Sequence, residues 1–482
     1  MSGNNPYEQN GYQPQPEYQA QPAYQQPVYQ PAQEIPTPPV AEQPVYGFAP
    51  EAPEAPEAPA KKPLPLVKIA IAAVAAILVI ILACVIFGGD SEDVDYMFDQ
   101  GLCAVKQNGS WGYVNEEGQF EIQPMFQSAR PFAENGLAAV RMADKWGYIN
   151  TKGQFEIMAT YEGAGDFDEN GLARVVMNDK YGVIGDDGQF VVQPIYDSMG
   201  EFGDNGLCPV GIENVSDGKT SYGYIDTKGQ LKIQMMYESA SVFAENGLAR
   251  VKLNDKYGYI NEKGEFAVQA IYDRAYSFAE NGLAAVAITT TTTDADGYET
   301  SNTKWGYINE DGEQVIAMTF DWAYSFAENG LAMIEVNSEV TDSDGYTTTE
   351  TKYGYIDEDG NIVIAATYED AYGFGKNGLA AVKMAGENGK WGFIDEDDAF
   401  VVTPQFDDVA AEFAENGLAW MEKDNRMGFV DEDGETVIQP YYDEVSAFYA
   451  DGYAGVNVNG KWGAIDEDGN MVISPIYDGA NP

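Results

Sequence analysis

An aromatic residue followed by glycine recurs along most of this chain, at Trp111, Trp146, Tyr181, Tyr222, Tyr257, Trp305, Tyr353, Trp391 and Trp462, with Met427-Gly428 in the one remaining slot. Its shortest common period is 35 residues, and ten units in register leave room for little besides a repeat architecture. A unit of that length cannot bury an apolar face alone, so each must pack on its neighbours. Five of the seven tryptophans occupy this anchor position. Trp, Tyr and Met share only bulk and apolarity, which points to a packing slot and away from ring chemistry.

Three short strands are predicted per unit, as at 137–142, 145–149 and 155–157. Aromatic and β-branched residues bounded by turn formers favour strands. The second and third are joined by an Asn/Asp-Glu-x-Gly turn, as in Asp357-Glu358-Asp359-Gly360, where Gly takes the left-handed position. The anchor glycine is expected to let a neighbouring ring lie across the backbone.

Spacing separates scaffold from decoration. From an anchor to the Phe of the next unit there are 21 residues in eight of nine cases, the exception being 22 from Trp391 to Phe413. From that Phe to its own anchor the distance runs from 13 to 27. Variable length marks a solvent-facing tip, so the hairpin before the anchor is the candidate contact surface. The two longest tips carry Asp294, Asp296 and Tyr298 in one unit and Asp342, Asp344 and Tyr346 in the next, each beside Thr-rich runs. These six residues are the candidate binding residues. The paired tip aspartates are also candidates for Ca2+, although no complete calcium-loop pattern is present. The pairs Tyr196-Asp197, Tyr272-Asp273, Tyr442-Asp443 and Tyr477-Asp478 offer rings beside carboxylates, as a sugar site would; they could equally pack between units.

The anchor, the turn and the Phe/Gly-Leu motif together resemble the bacterial WG-repeat (KWG-repeat) family over about 385 residues, from near Phe98 to Asp478. That resemblance implies a bacterial, β-rich repeat module and supplies no catalytic residues. Met427 at an anchor and Asp398 at a turn-glycine position depart from the pattern. The expected fold is therefore all-β, about ten three-stranded units in an open curved β-array, with β-propeller-like closure as the alternative. The open array is preferred because propellers usually have four to eight four-stranded blades.

Ahead of the repeats, residues 1–63 read as a disordered Pro/Gln/Tyr-rich tail: sixteen of the 24 prolines lie in residues 1–65, and such density favours solvated, extended chain. Within 64–88, Ile69 to Phe87 carries no polar side chain apart from the Cys84 thiol. Nineteen such residues would make a helix of about 28 Å, close to bilayer thickness. Lys61, Lys62 and Lys68 precede it, and an acidic linker at 89–95 follows. The positive-inside rule then places the tail in the cytoplasm and residues 96–482 outside the cell membrane, as a single-pass protein.

Charge and composition exclude much. A formal net charge of -52 makes nucleic acid a poor partner. The chain has no histidine, which removes the commonest acid/base group and metal ligand. Cys103 and Cys208 share one repeat phase, where other units carry Ala, and are expected as small core residues. No nucleophile elbow or phosphate-binding loop occurs, and a glycosidase pair would need a cleft that spacing alone cannot supply. The expected function is a non-catalytic, membrane-anchored module without cofactor, binding a protein or a cell-wall polymer. A wall-carbohydrate module is the alternative, and an extracellular hydrolase is less favoured.

Overall fold

The computed structural model describes residues 97–481, apart from 295–296, 342–344, 346 and 387–388. The tail and the apolar segment at 69–87 lie outside the described residues. Among the described residues every regular element is a strand, and no helix is long and apolar enough to cross a membrane.

The strands form ten four-stranded antiparallel sheets, which are the blades of a closed ten-bladed β-propeller. Numbered by their anchors, blade 1 carries Trp111 and blade 10 carries Trp462. Blade 2 is typical, running Ser128–Phe132, Leu137–Met142, Lys145–Asn150 and Phe155–Tyr161 from its inner to its outer strand. The inner strand of blade 2 touches those of blades 1 and 3, and elsewhere, as between blades 6 and 7, the inner strand packs on the central strands of the preceding blade. Closure is thus the alternative that holds, and the open array is corrected.

The correction turns on one strand. The inner strand was missing from the three-stranded expectation because it is short and made of small or irregular residues, such as Ser128-Ala129-Arg130-Pro131. Ala129 is fully buried, and its register opposite Val140 makes the strand a full member of the sheet. In blade 1 this strand comes from the other end of the chain: Gly479–Asn481 pairs with Cys103–Gln107, with Ala480 opposite Val105. The Asp478 amide donates to the Lys106 carbonyl at 2.7 Å, and the Tyr477 hydroxyl to the Gly118 carbonyl at 3.0 Å.

The anchor glycine has a different cause from the one expected. In every blade the third and outer strands change register at this residue; in blade 2, Trp146 faces Tyr161 while Tyr148 faces Ile157. The outer strand bulges over Gly147, where a Cβ would lie 2.5 Å from the Ala159 nitrogen. Backbone, rather than a ring, occupies the space. The turn glycine performs as expected: Gly153 sits at φ 74° and rests on Ile122 of the preceding blade. Asp398 replaces it in blade 8 at φ 64°, and its carboxylate accepts a 2.5 Å bond from the Tyr368 hydroxyl.

Trp305 and Trp391 are buried anchors, while Trp111, Trp146, Tyr181, Tyr222, Tyr257, Tyr353, Met427 and Trp462 are half-buried at the junctions between blades. The fully buried ring stands two residues later. Tyr113, Tyr148, Tyr224, Tyr259, Tyr307 and Tyr355 each donate a hydroxyl bond to the backbone carbonyl 17 residues on, in or directly after the inner strand of the next blade. The Tyr148 ring also meets Phe167, centroids 4.8 Å apart. This contact explains the constant 21-residue spacing. The one 22-residue step, from Trp391 to Phe413, keeps the same ring contact, with Phe393 and Phe413 centroids 4.7 Å apart. Burial pushes all six hydroxyls well above the usual tyrosine range.

Candidate interaction surface

Antiparallel order puts all ten hairpin tips on one face of the ring, with the links from outer strand to next inner strand beside them. The other face carries the Ala-Glu-Asn-Gly loops and the acidic turns. There Asn205, Asn246, Asn281 and Asn377 each donate a side-chain bond to a turn glutamate of the following blade, Glu262, Glu310, Glu358 and Glu432 respectively.

On the tip face the link carboxylate staples neighbours together. Asp273 accepts from Lys256 Nζ at 2.5 Å in its own blade and from the Thr289 amide at 2.8 Å in the next. Asp321 repeats the pattern with Lys304 and the Asn337 amide. Asp197, Asp407, Asp443 and Asp478 do so with Lys180, Lys390, Arg426 and Lys461. The lysine bond, followed by the tip amide, holds the Asp197 and Asp407 carboxyls below the usual range. This assigns the acids of the Tyr-Asp pairs. Their rings are equally committed, with Tyr196, Tyr272, Tyr442 and Tyr477 exposed by only 2–6%. No aromatic platform for a sugar remains at those pairs.

Two tips stand out from the rest. Blade 6 extends its central strands to Leu283–Thr293 and Glu299–Asn309, eleven residues each, where blade 2 has six. Blade 7 extends its own to Ala332–Thr341 and Thr347–Ile356. The threonine runs zip these ribbons through hydroxyl pairs, Thr289 with Thr303 at 2.8 Å and Thr341 with Thr347 at 2.9 Å. Both edges of each ribbon run past the inner and outer strands, and Ile288, Val336 and Val340 are exposed along them.

Of the six sequence-selected residues, Asp294 and Tyr298 are described. The Asp294 carboxylate accepts the Tyr298 amide at 2.9 Å, and Gly297 closes the turn at φ 86°. Asp294 is therefore a turn-former, while the Tyr298 ring is 73% exposed at the ribbon tip. Asp296, Asp342, Asp344 and Tyr346 lie outside the described residues. Among the described residues no group of three or more carboxylates or thiols is placed to hold a metal ion. Cys103 and Cys208 are buried free thiols, each pushed up to about 12 chiefly by burial.

Sequence reasoning missed the inner rim of blades 6 to 8, where aromatic rings gather at the junctions. Trp305 stacks on Tyr276 at 5.3 Å and meets Trp322 of the next blade at 4.8 Å. Tyr372 stacks on Trp391 at 5.3 Å. The signal lay in the inner-strand residues Tyr276, Tyr324 and Tyr372, which recur 48 residues apart in consecutive units, but without the inner strand they had no common place.

Comparison with solved structures returns low similarity. A crystal structure described as the eukaryotic initiation factor aligns at a TM-score of 0.45 with 12% identity, covering 79% of this chain and 97% of that one. Hsv2p of Kluyveromyces lactis aligns at 0.28 with 11% identity, over 55% of this chain and 98% of its own. Neither bears on function. No curated protein matches. The repeats themselves are decisive: the family described as "WG containing repeat" matches ten segments, at 111–146, 146–181, 181–215, 222–257, 257–288, 305–339, 353–387, 391–426, 427–462 and 462–482. With most of the ring covered in the register of its own anchors, the chain belongs to the WG-repeat family.

Proposed function

We propose that the chain is a non-catalytic interaction module, anchored by the apolar segment at 69–87 with its repeats outside the cell membrane, that binds a partner protein through its hairpin-tip face. The observation that carries this reading is the confinement of length variation to that face, with two adjacent ribbons presenting Tyr298 and apolar edge residues to solvent. A rigid ring with variable tips is the arrangement in which recognition can change without disturbing the core. The flanking charges, Lys61, Lys62 and Lys68 before the segment and Asp90, Glu92, Asp93 and Asp95 after it, support the orientation.

Cross-linking on intact cells, followed by mass spectrometry, identifies the partner. Shortening both ribbons to the six-residue strands of blade 2 is expected to abolish its capture while the ring stays folded. Undiminished capture by the shortened chain sinks the assignment of the surface. Protease added outside intact cells should digest the repeats and spare the N-terminal tail; the reverse sinks the orientation.

A further inference from the structure

Several blades place a cation over an aromatic ring. Lys106 stands over Trp111, Lys252 over Tyr257 and Lys383 over Trp391, at 5.9, 5.9 and 5.7 Å from the ring centroids. Each of these lysines is the residue directly opposite its anchor on the second strand. Arginines reach the rings of blades 2 and 3, and Arg274 lies 5.2 Å from Trp322 between blades 6 and 7. The fold therefore builds cation-over-ring sites repeatedly and fills them from its own chain.

Blade 7 reverses the charge at this position beside an aromatic anchor, as blade 9 does with Glu422 beside Met427. The residue opposite its anchor Tyr353 is Glu335. The Tyr324 hydroxyl donates to Glu335 Oε1 at 2.5 Å, which fixes that carboxylate opposite Tyr353. From the next blade Asp370 occupies the inner-strand position facing the same junction, where its Oδ1 accepts the Ala371 amide at 3.0 Å. Tyr353 is pushed up to about 12 by burial and then by the nearby charges of Glu335 and Asp370. Burial, and after it the charges of Asp408 and Glu369, raise the Asp370 carboxyl against the opposing pull of the Ala371 amide and of Lys383, the residue directly opposite it on the second strand. Tyr324, Glu335 and Tyr353 are half-buried and Asp370 is exposed, so the junction is open to solvent.

We propose that this junction binds a cationic side chain, an arginine or lysine presented by a basic stretch of a partner protein, which takes the place that the chain's own lysines hold in blades 1, 5 and 8. Two rings supply faces and two carboxylates supply charge, the combination that suits a guanidinium or ammonium group. A peptide fits better than a single small cation, because carboxylates recur at the same inner-strand position from blade to blade, Asp370, Asp408 and Glu444. Successive cationic residues of one extended segment can follow that row. The net charge of -52 draws such a segment in. This inference rests on the interaction-module reading and names the chemistry of the partner.

Calorimetric titration of the full-length chain with an end-capped nonapeptide carrying arginine at every third position tests it. The peptide is expected to bind, and its citrulline counterpart to bind at least tenfold more weakly. The isosteric double variant Glu335→Gln/Asp370→Asn should lose at least tenfold in affinity. So should Glu335→Lys, which installs the residue of blade 8. Glu116→Gln/Glu117→Gln removes the same charge from an exposed turn and should stay within twofold. Equal losses in both double variants, indifference to citrulline, or no binding to the unaltered chain would overturn the site. Spermidine binding more tightly than the peptide would overturn the choice of ligand. A chain that captures its partner through the ribbons yet fails these titrations loses this site and keeps the surface assigned above.

Discussion

The Tyr477 hydroxyl donates to the carbonyl of Gly118 across 359 positions of sequence. The bond matches one inside the array, from Tyr237 to the Gly264 carbonyl at 3.4 Å, so the seam is built like an ordinary junction. What differs is that covalent continuity is missing there. Strand pairing, the Asp478 bonds and the Phe98 amide on Asp451 Oδ2 at 2.9 Å must do the joining.

Removing residues 478–482 should open the ring at this seam. Cys103 is 1% exposed and sits beside the strand that would be lost. In a Cys84→Ala background the intact chain should show no thiol reacting with a disulfide reagent under native conditions. The shortened chain should show one, at Cys103, with Cys208 still protected. No reaction in the shortened chain would mean that the other contacts suffice.

Tyr148→Phe deletes one hydroxyl bond between blades and leaves the Gly165 carbonyl short of a partner. The expected loss is about 1 kcal/mol. Tyr148→Ala also removes a fully buried ring and should cost about 3–5 kcal/mol. Denaturant midpoints of the two variants measure the difference, which separates ring packing from the hydrogen bond.

Gly147→Ala drives a methyl group to within 2.5 Å of outer-strand backbone. The bulge cannot yield without unpairing the sheet, so the loss should reach the upper end of about 1–3 kcal/mol. Gly373→Ala, where nothing lies within 4 Å, serves as the control and should leave the thermal midpoint unchanged.

The six inter-blade tyrosines predict the response to alkali. Their folded-state pKa values are raised, so the neutral hydroxyl is the form the ring holds. Above the unfolded value of about 10 the unfolded chain releases protons that the folded chain keeps, and stability falls as pH rises. Each such group contributes a slope of about 1.4 kcal/mol per pH unit. Below pH 10 these groups leave stability level. Absorbance at 295 nm followed beside circular dichroism should show the six ionising only with unfolding, in one step. Their ionisation while the sheet signal persists would contradict the burial argument.

How much the sequence disclosed depended on residue size. Strand 137–142 was legible because Leu137 to Met142 is apolar and bounded by turn formers, and the turn at Gly153 because its chemistry is local. Asp398 was legible as a departure, but its bond to Tyr368 joins residues 30 apart and has no sequence signature. The inner strand escaped because Ala129 and its counterparts carry no periodic bulk; their place is fixed by the second strand and the neighbouring blade. Counting three strands then pointed to an open array, and only pairing between residues 104–106 and 479–481 reveals the ring. The Tyr-Asp pairs misled for a related reason. A ring beside a carboxylate looks the same in sequence whether it faces water or, like Tyr272, packs inside while Asp273 staples two tips.

Because Gly479–Asn481 completes blade 1, the ring has a compulsory order of birth. A ribosome makes the anchors of all ten blades before it makes the strand that locks the first. Until residue 481 has emerged, the nascent molecule is an arc whose leading blade lacks its inner strand, with Val105 and Cys103 awaiting cover. Maturation ends in a single latching event between the oldest and the newest parts of the array, and anything that holds back the newest part holds the whole ring open.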